Sequence, residues 1–413
     1  MKPDLALLWS GQFLSRLAAV AVGVAASFLL KSLAQSPAWN GWLLFLTFAP
    51  GLLCAPVAGV LADRVQPRRM LMACDVAAAI PLILLAALVL IRPELTGLAA
   101  VALLLTVACG SVTDAFYRPT EDVMLAELVA PRHLSTAYTI DESTMHAAQF
   151  TGASLGGLLF ASLGAGLVFA GGALSCLMAA ILIWAVRYRR PVRDHDTESV
   201  AIMVQIRVGL RVFHHNHGFA LFSLMMAVII ALAMTWAILA PFLIEDHLHL
   251  NASWVAVFSI AMVIGGFTGM LMSGWRRLDG AARPWVVVAA LIGFGLGSSL
   301  FWWTRDPWVV VALSVLGSAV MGFVMIQSRT LAMLSTPQDV RGRVMAWLGT
   351  LQGLAMVIAM PIIGHISELL DPSLRIPVMF SASGAGIAVI GIVLAGTTSA
   401  RNYLRLSITT DPQ

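Results

Sequence analysis

Long apolar stretches broken by short clusters of charge dominate the chain. Windows without Asp, Glu, Lys or Arg run over 32–62, 95–113, 143–186, 212–244, 247–275, 284–304, 307–328, 344–367 and 376–400. Each holds at least 19 residues, and roughly 20 apolar residues carry an α-helix across the hydrocarbon of a bilayer. No stretch alternates with a period of two, which excludes a β-barrel. Breakers and charges between the windows predict twelve helices, at about 5–31, 40–62, 68–91, 95–117, 134–162, 166–187, 217–244, 251–275, 284–304, 307–330, 342–368 and 375–398. The window 143–186 is too long for one helix and is split at the uncharged turn Ser162-Leu163-Gly164-Ala165-Gly166. The expected fold class is therefore an all-α membrane protein with twelve transmembrane helices.

Composition strengthens this reading. The 413 residues are 59% apolar and only 11% charged, whereas soluble domains carry roughly 25% charge. A net charge of +4 would suggest nucleic acid in a soluble protein, but here the basic residues act as orientation signals and no nucleic-acid partner is expected. With the amino terminus in the cytoplasm, the loops and tails of that side hold 20 Lys and Arg residues, against Lys31, Arg92, Arg305 and Arg375 on the other. The positive-inside rule then puts both termini in the cytoplasm. Trp39, Trp42, Trp302, Trp303 and Trp308 fall near outer span ends, at headgroup level. Cys54, Cys74, Cys109 and Cys176 lie in apolar windows without CxxC spacing, so they read as small buried residues rather than a metal or disulfide set. No small-residue cleavage site follows the first apolar stretch, which is expected to be retained as a helix.

The chain reads as a duplicated half. At an offset of 206, Leu125-Ala126-x-Leu128-x-x-Pro131-x-x-Leu134 superposes on Leu331-Ala332-x-Leu334-x-x-Pro337-x-x-Val340, and Gly59-Val60-Leu61 has a weaker echo in Gly269-Met270-Leu271. The expected organisation is a six-helix bundle over 1–187, a cytoplasmic central loop over 188–216, and a second six-helix bundle with a short tail over 217–413. Transporters built from such parallel repeats place substrate at the repeat interface near the bilayer midplane.

The segment Gly59-Val60-Leu61-Ala62-Asp63-Arg64-Val65-Gln66-Pro67-Arg68-Arg69 resembles the signature between helices 2 and 3 of the major facilitator superfamily, and the resemblance extends over essentially the whole chain. Asp63 sits at the carboxyl end of its own helix, where the dipole disfavours an anion, so it needs a partner. The resemblance implies a conformational latch of Gly59, Asp63, Arg64, Arg68 and Arg69 with the start of helix 11 at Arg341 and Arg343, and Gly59 is expected to permit close helix approach. Pro119 to Pro131 and Thr336-Pro337-Gln338-Asp339-Val340-Arg341-Gly342-Arg343-Val344 are similar to the branch that holds macrolide-efflux and enterobactin-exporter-like proteins. Many members of that branch carry an aspartate shortly after the helix 1 arginine. Arg16-Leu17-Ala18-Ala19 lacks it, which resembles the siderophore-exporter side. Gly152-Ala153-Ser154-Leu155-Gly156-Gly157 resembles the antiporter signature with its proline replaced, a smooth face for helix 8 or helix 1. Small-residue packing alone explains the same glycines.

Ionisable groups inside spans are costly and are functional candidates by default. Arg16 lies near mid-bilayer in the first helix, and Asp141, Glu142, His146 and Gln149 lie in the fifth. Glu142, His146 and Gln149 share one face by their i, i+4, i+7 spacing. Arg16 is expected to pair with Asp141 or Glu142, and Arg16, Asp141, Glu142 and His146 form the candidate proton-coupling set, against the alternative of a structural ion pair. Asp75, Asp114 and Arg118 read as cytoplasmic gate residues, and Gln12, Gln149, Trp236, Gln327 and Gln352 as the substrate cavity. His214, His215 and His217 read as solvated loop residues.

These features predict a proton-coupled secondary exporter of a small organic molecule in a bacterial inner membrane, working by alternating access as a monomer. A siderophore is the preferred cargo, with macrolide-type or multidrug antiport and siderophore or peptide import as alternatives. Neither an enzyme nor a cofactor or metal site is expected: the chain has no nucleotide loop, HExxH or GxSxG. Substrate, protons and lipid are the expected partners.

Overall fold

A computed structural model describes residues 3–129, 133–186, 217–275, 283–299, 304–334 and 341–398. Twelve long helices account for almost all of them: α1 (Pro3–Ala34), α2 (Pro37–Arg64), α3 (Pro67–Ile91), α4 (Thr96–Leu128), α5 (Leu134–Leu163), α6 (Ala165–Ala185), α7 (His217–Phe242), α8 (Trp254–Trp275), α9 (Arg283–Ser299), α10 (Pro307–Leu334), α11 (Arg341–Glu368) and α12 (Pro372–Gly396). No strand occurs among the described residues. Ten of the twelve are long and apolar enough to cross a membrane; the others are α5, with its polar stripe, and α9, with its shorter apolar stretch Trp285–Ser299.

Local chemistry sets the helix ends. Proline opens α2, α3 and α12, where its missing N–H costs nothing and its fixed φ suits the first turn. Gly164 separates α5 from α6 at φ 78°, a left-handed conformation that glycine adopts freely, inside the turn expected at 162–166. The expected end of the fourth helix at 117 is corrected: α4 continues through Pro119 to Leu128. At ~1.5 Å per residue its 33 residues span about 50 Å, well beyond the hydrocarbon.

Two compact units emerge, Met1–Ser199 with Leu250–Ser259, and Val200–His249 with Ile260–Gln413. In the first, α1 packs on α4, α5 and α6, while α3 packs on α4 and α6. One apolar cluster gathers Leu30, Leu82, Leu85, Leu103 and Phe169; another gathers Leu8, Trp9, Leu71, Tyr117, Met124, Leu125 and Ile183. In the second unit, Phe219, Phe222, Ile229, Leu291, Val324, Leu331 and Ile387 form the core. Large aliphatic side chains such as Leu53, Leu84, Ile91, Leu174 and Leu271 stand exposed on the outside, far more apolar surface than water tolerates and a fitting one for lipid.

Glycine governs the closest helix contacts. A Cβ at Gly152 would lie 2.6 Å from the Leu17 carbonyl oxygen, and one at Gly156 2.7 Å from Ala21 Cα, so the expected smooth face of α5 presses on α1. Gly157 abuts Ala252 and Val255. Gly269 on α8 likewise meets the backbone of Ala319 on α10. At Gly59 a Cβ would meet nothing within 4 Å among the described residues, so the expected close approach is not seen there.

Candidate functional site

The interior of the first unit holds an ionic cluster between α1, α4 and α5. Arg16 Nη2 lies 2.5 Å from Glu121 Oε1, and Arg16 Nη1 lies 3.7 Å from Asp141 Oδ1. The Glu121 side chain is 2% exposed. Glu121 and Asp141 also interact electrostatically with each other. One guanidinium thus faces two carboxyls, a net charge of −1 if both are ionised.

A second group of polar side chains lies beside it on α1, α3 and α4. Ser15 donates its hydroxyl to Asp75 Oδ1 at 2.9 Å. Asp75 is 2% exposed and Gln12 fully buried. Asp75 Oδ2, both amide atoms of Gln12 and the Tyr117 hydroxyl have no hydrogen-bond partner. Tyr117 interacts electrostatically with Asp75, Glu121 and Arg16. Each unsatisfied polar atom in such a place costs about 1–3 kcal/mol, which buried water commonly offsets.

The sequence-derived candidates fall into distinct places. Arg16 and Asp141 come together as expected of a pair, but their closest partner, Glu121, was not among the candidates. Asp75, expected at a cytoplasmic gate, is 2% exposed, and Gln12, expected at the substrate cavity, is fully buried. Asp114 and Arg118 form an exposed i,i+4 pair at 3.7 Å. His146 and Gln149 are exposed, and the His146 ring stacks on Phe150 with centroids 6.4 Å apart. Arg68 donates to the backbone carbonyl of Trp184, in the last turn of α6, while Arg69 is exposed. The side chains of Asp63, Arg64, Glu142, Arg341 and Arg343 lie outside the described residues, as does the whole of the expected central loop 188–216 with His214 and His215.

The second unit supplies cavities instead of charge. One, of about 380 Å³, lies between α7, α8, α10 and α11, lined by Phe219, Phe222, Ser223, Met226, Met270, Met325, Ile326, Ser328, Leu348, Gly349 and Gln352. None of these is charged. Methionine sulfur and flexible methylenes adapt to irregular apolar ligands, while Gln352 and the serines offer a few polar contacts. A smaller cavity of about 80 Å³ is lined in part by Trp236, Thr235, Phe380 and Ser383. Trp236 meets Phe380 edge-on at 6.2 Å, and Thr235 shares a 2.7 Å hydrogen bond with Ser383. Gln327 donates to Ser273 at 3.1 Å. Among the described residues no cluster of His, Cys, Asp and Glu is arranged to hold a metal ion.

Known proteins resemble the chain along nearly its whole length. The sequence profile of the Major Facilitator Superfamily matches residues 8–360. Macrolide efflux protein A of Streptococcus pyogenes is 21% identical over 396 residues, 94% of each chain. The Bacillus subtilis protein described as an uncharacterized MFS-type transporter, YfiS, is 23% identical over 366 residues, 85% of this chain and 82% of its own. Among solved structures, a bacterial homologue of the iron transporter ferroportin aligns with a TM-score of 0.74 at 17% identity, over 95% of this chain and 98% of that one. The nucleoside transporter NupG aligns with a TM-score of 0.73 at 13% identity, over the same shares. At these identities the solved structures speak for the fold alone.

Proposed function

The chain belongs to the Major Facilitator Superfamily and is a membrane transporter, and from that premise we propose that it exports a largely apolar organic molecule without negative charge by proton-coupled alternating access. The observation that carries the cargo class is the 380 Å³ cavity of aromatic rings, methionines and a few neutral polar groups. An anionic ligand would call for a cation in that lining, and none is present among the described residues. The likeness to a macrolide efflux protein supports outward movement of such a cargo.

The siderophore expectation keeps one support, the absence of an aspartate after Arg16. On the lining just described it becomes the second reading. Uptake of a siderophore or peptide has no observation in its favour beyond the shared fold.

Proton coupling is assigned to Arg16, Glu121 and Asp141, with Glu121 in the place the sequence reading gave to Glu142. Two acids competing for one guanidinium make a proton the natural third partner. When the cluster opens to water on one side, that proton leaves; when it closes, one returns. His146, exposed on α5, serves at most as an entry group. The latch of Gly59, Asp63, Arg64, Arg68, Arg69, Arg341 and Arg343 belongs to the same reading, as do twelve spans, cytoplasmic termini, a bacterial inner membrane and a monomer.

The test is uptake into everted vesicles energised by an imposed pH gradient, with a radiolabelled macrolide and an iron-free catecholate chelator as parallel cargoes. Macrolide accumulation that collapses with a protonophore and drops at least about tenfold in Phe222→Ala is the expected result; a loss of that size corresponds to roughly 1.4 kcal/mol of binding. Chelator accumulation without macrolide accumulation would restore the siderophore reading. Transport indifferent to the gradient would remove the coupling.

A further inference from the structure

The coupling cluster leaves one buried acid unused. Asp75 lies eight residues into α3, about 12 Å from its start at ~1.5 Å per residue. The groups that face it can be named helix by helix: Ser15 from α1, Tyr117 from α4, Cys176 from α6 and its neighbour Cys74 on α3. None of these is a cation. Arg16 is committed to Glu121 and Asp141, and Ser15 alone hydrogen-bonds the Asp75 carboxyl.

Two further buried polar groups lie on the same helices. Gln12 sits one turn before Ser15 and Arg16 on α1, fully buried, with Oε1 and Nε2 both unpartnered. The Tyr117 hydroxyl is unpartnered as well, and Tyr117 interacts electrostatically with both Asp75 and Glu121. A bare carboxylate among such neighbours has one hydroxyl to answer a full charge. A carboxylic acid fits far better: Oδ1 keeps the Ser15 hydroxyl, and a proton on the group removes the charge that no buried cation answers.

We propose that Asp75 is a second proton-binding site of the first bundle, separate from the Arg16 cluster, with Ser15 as the donor to its carboxyl. The bundle then carries two protons, one shared by Glu121 and Asp141 and one on Asp75. Each proton binds to a carboxylate oxygen and leaves to water, so no other reactant is involved. The proposal rests on the proton-coupled reading for its place in transport, but the binding of the proton itself does not depend on any cargo.

Infrared difference spectroscopy of the full chain in lipid nanodiscs, titrated with alkali, tests it directly through the carbonyl stretch of protonated carboxyls. The wild type is expected to lose two such components. Asp75→Asn should delete one of them and leave intact the one that Glu121→Gln deletes, while Tyr117→Phe should shift the Asp75 component. If Asp75→Asn does not accumulate as folded protein, Ser15→Ala is expected to shift the same component by removing the donor on Oδ1. A spectrum unchanged by Asp75→Asn, or by Ser15→Ala in its place, overturns the proposal. So does a component that vanishes at fixed pH when choline is replaced by sodium, since the site would then be a sodium site. Gradient-independent transport with both components present would defeat the coupling reading while leaving this site standing.

Discussion

At the residue scale, Arg16 decides the chemistry of the first bundle because it is the cation shared by Glu121 and Asp141. Removing it strands two buried carboxyls, and Arg16→Ala is expected to cost about 3–5 kcal/mol, read as a drop in the thermal unfolding midpoint of detergent-solubilised protein. Arg16→Met combined with Glu121→Gln removes both charges together and should recover most of that loss, since a matched apolar replacement of an ion pair is often neutral. Equal instability of the single and double variants would show that packing, not charge, holds the site. Glu121→Gln alone should flatten the pH dependence of transport, whereas His146→Ala should leave it in place. Arg16 and Asp141 were legible in the sequence because charges inside apolar windows stand out. Glu121 was not, because a span ended ahead of Pro119 makes it a loop residue. The signal was nonetheless there: Tyr117, Glu121, Met124, Leu125 and Leu128 keep a helical period beyond the proline, and all but Leu128 are buried along α4.

At the scale of elements, the face of α5 that meets α1 works only with small residues. A side chain at Gly156 would intrude on Ala21 and Val24, so Gly156→Leu is expected to force the helices apart and to abolish transport in vesicles. Gly156→Ala should destabilise the fold by about 1 kcal/mol or more, as overpacking does, read as a lower unfolding midpoint. Gly59→Ala has open space around its new methyl, and a change within about 0.5 kcal/mol is expected. If Gly59→Ala nonetheless impairs transport at full stability, the methyl clashes in another state of the cycle, as the latch reading requires. The Gly-x-x-x-Gly spacing could be read in the sequence, but whether it faces helix 1 or helix 8 could not. Periodicity places a residue on a helix face and leaves that face's neighbour unnamed. The structure divides the glycines between both neighbours, Gly152 and Gly156 towards α1 and Gly157 towards Ala252 and Val255.

For the whole molecule, the gaps between charged clusters located twelve helices in the sequence, since each charge cluster must leave the hydrocarbon. How many of them cross is a finer matter, because α5 carries Asp141 and Glu142 and α9 has a shorter apolar stretch than the ten clear candidates. Tags on the two termini cannot decide it: ten and twelve are both even, and either puts both ends on one side. The segment between α6 and α7 can. With α5 crossing, α6 is the sixth span and the basic run from Arg187 to Arg211 lies with the amino terminus. Without it, α6 is the fifth and that run emerges on the far side, against the positive-inside rule. A cysteine at Val200, in a background with Cys54, Cys74, Cys109 and Cys176 replaced, should therefore resist a membrane-impermeant maleimide in intact cells and react in everted vesicles. Reaction in intact cells would take α5 out of the membrane. Arg16, Glu121 and Asp141 would then meet at a surface, where no barrier separates the two sides a coupled proton has to cross.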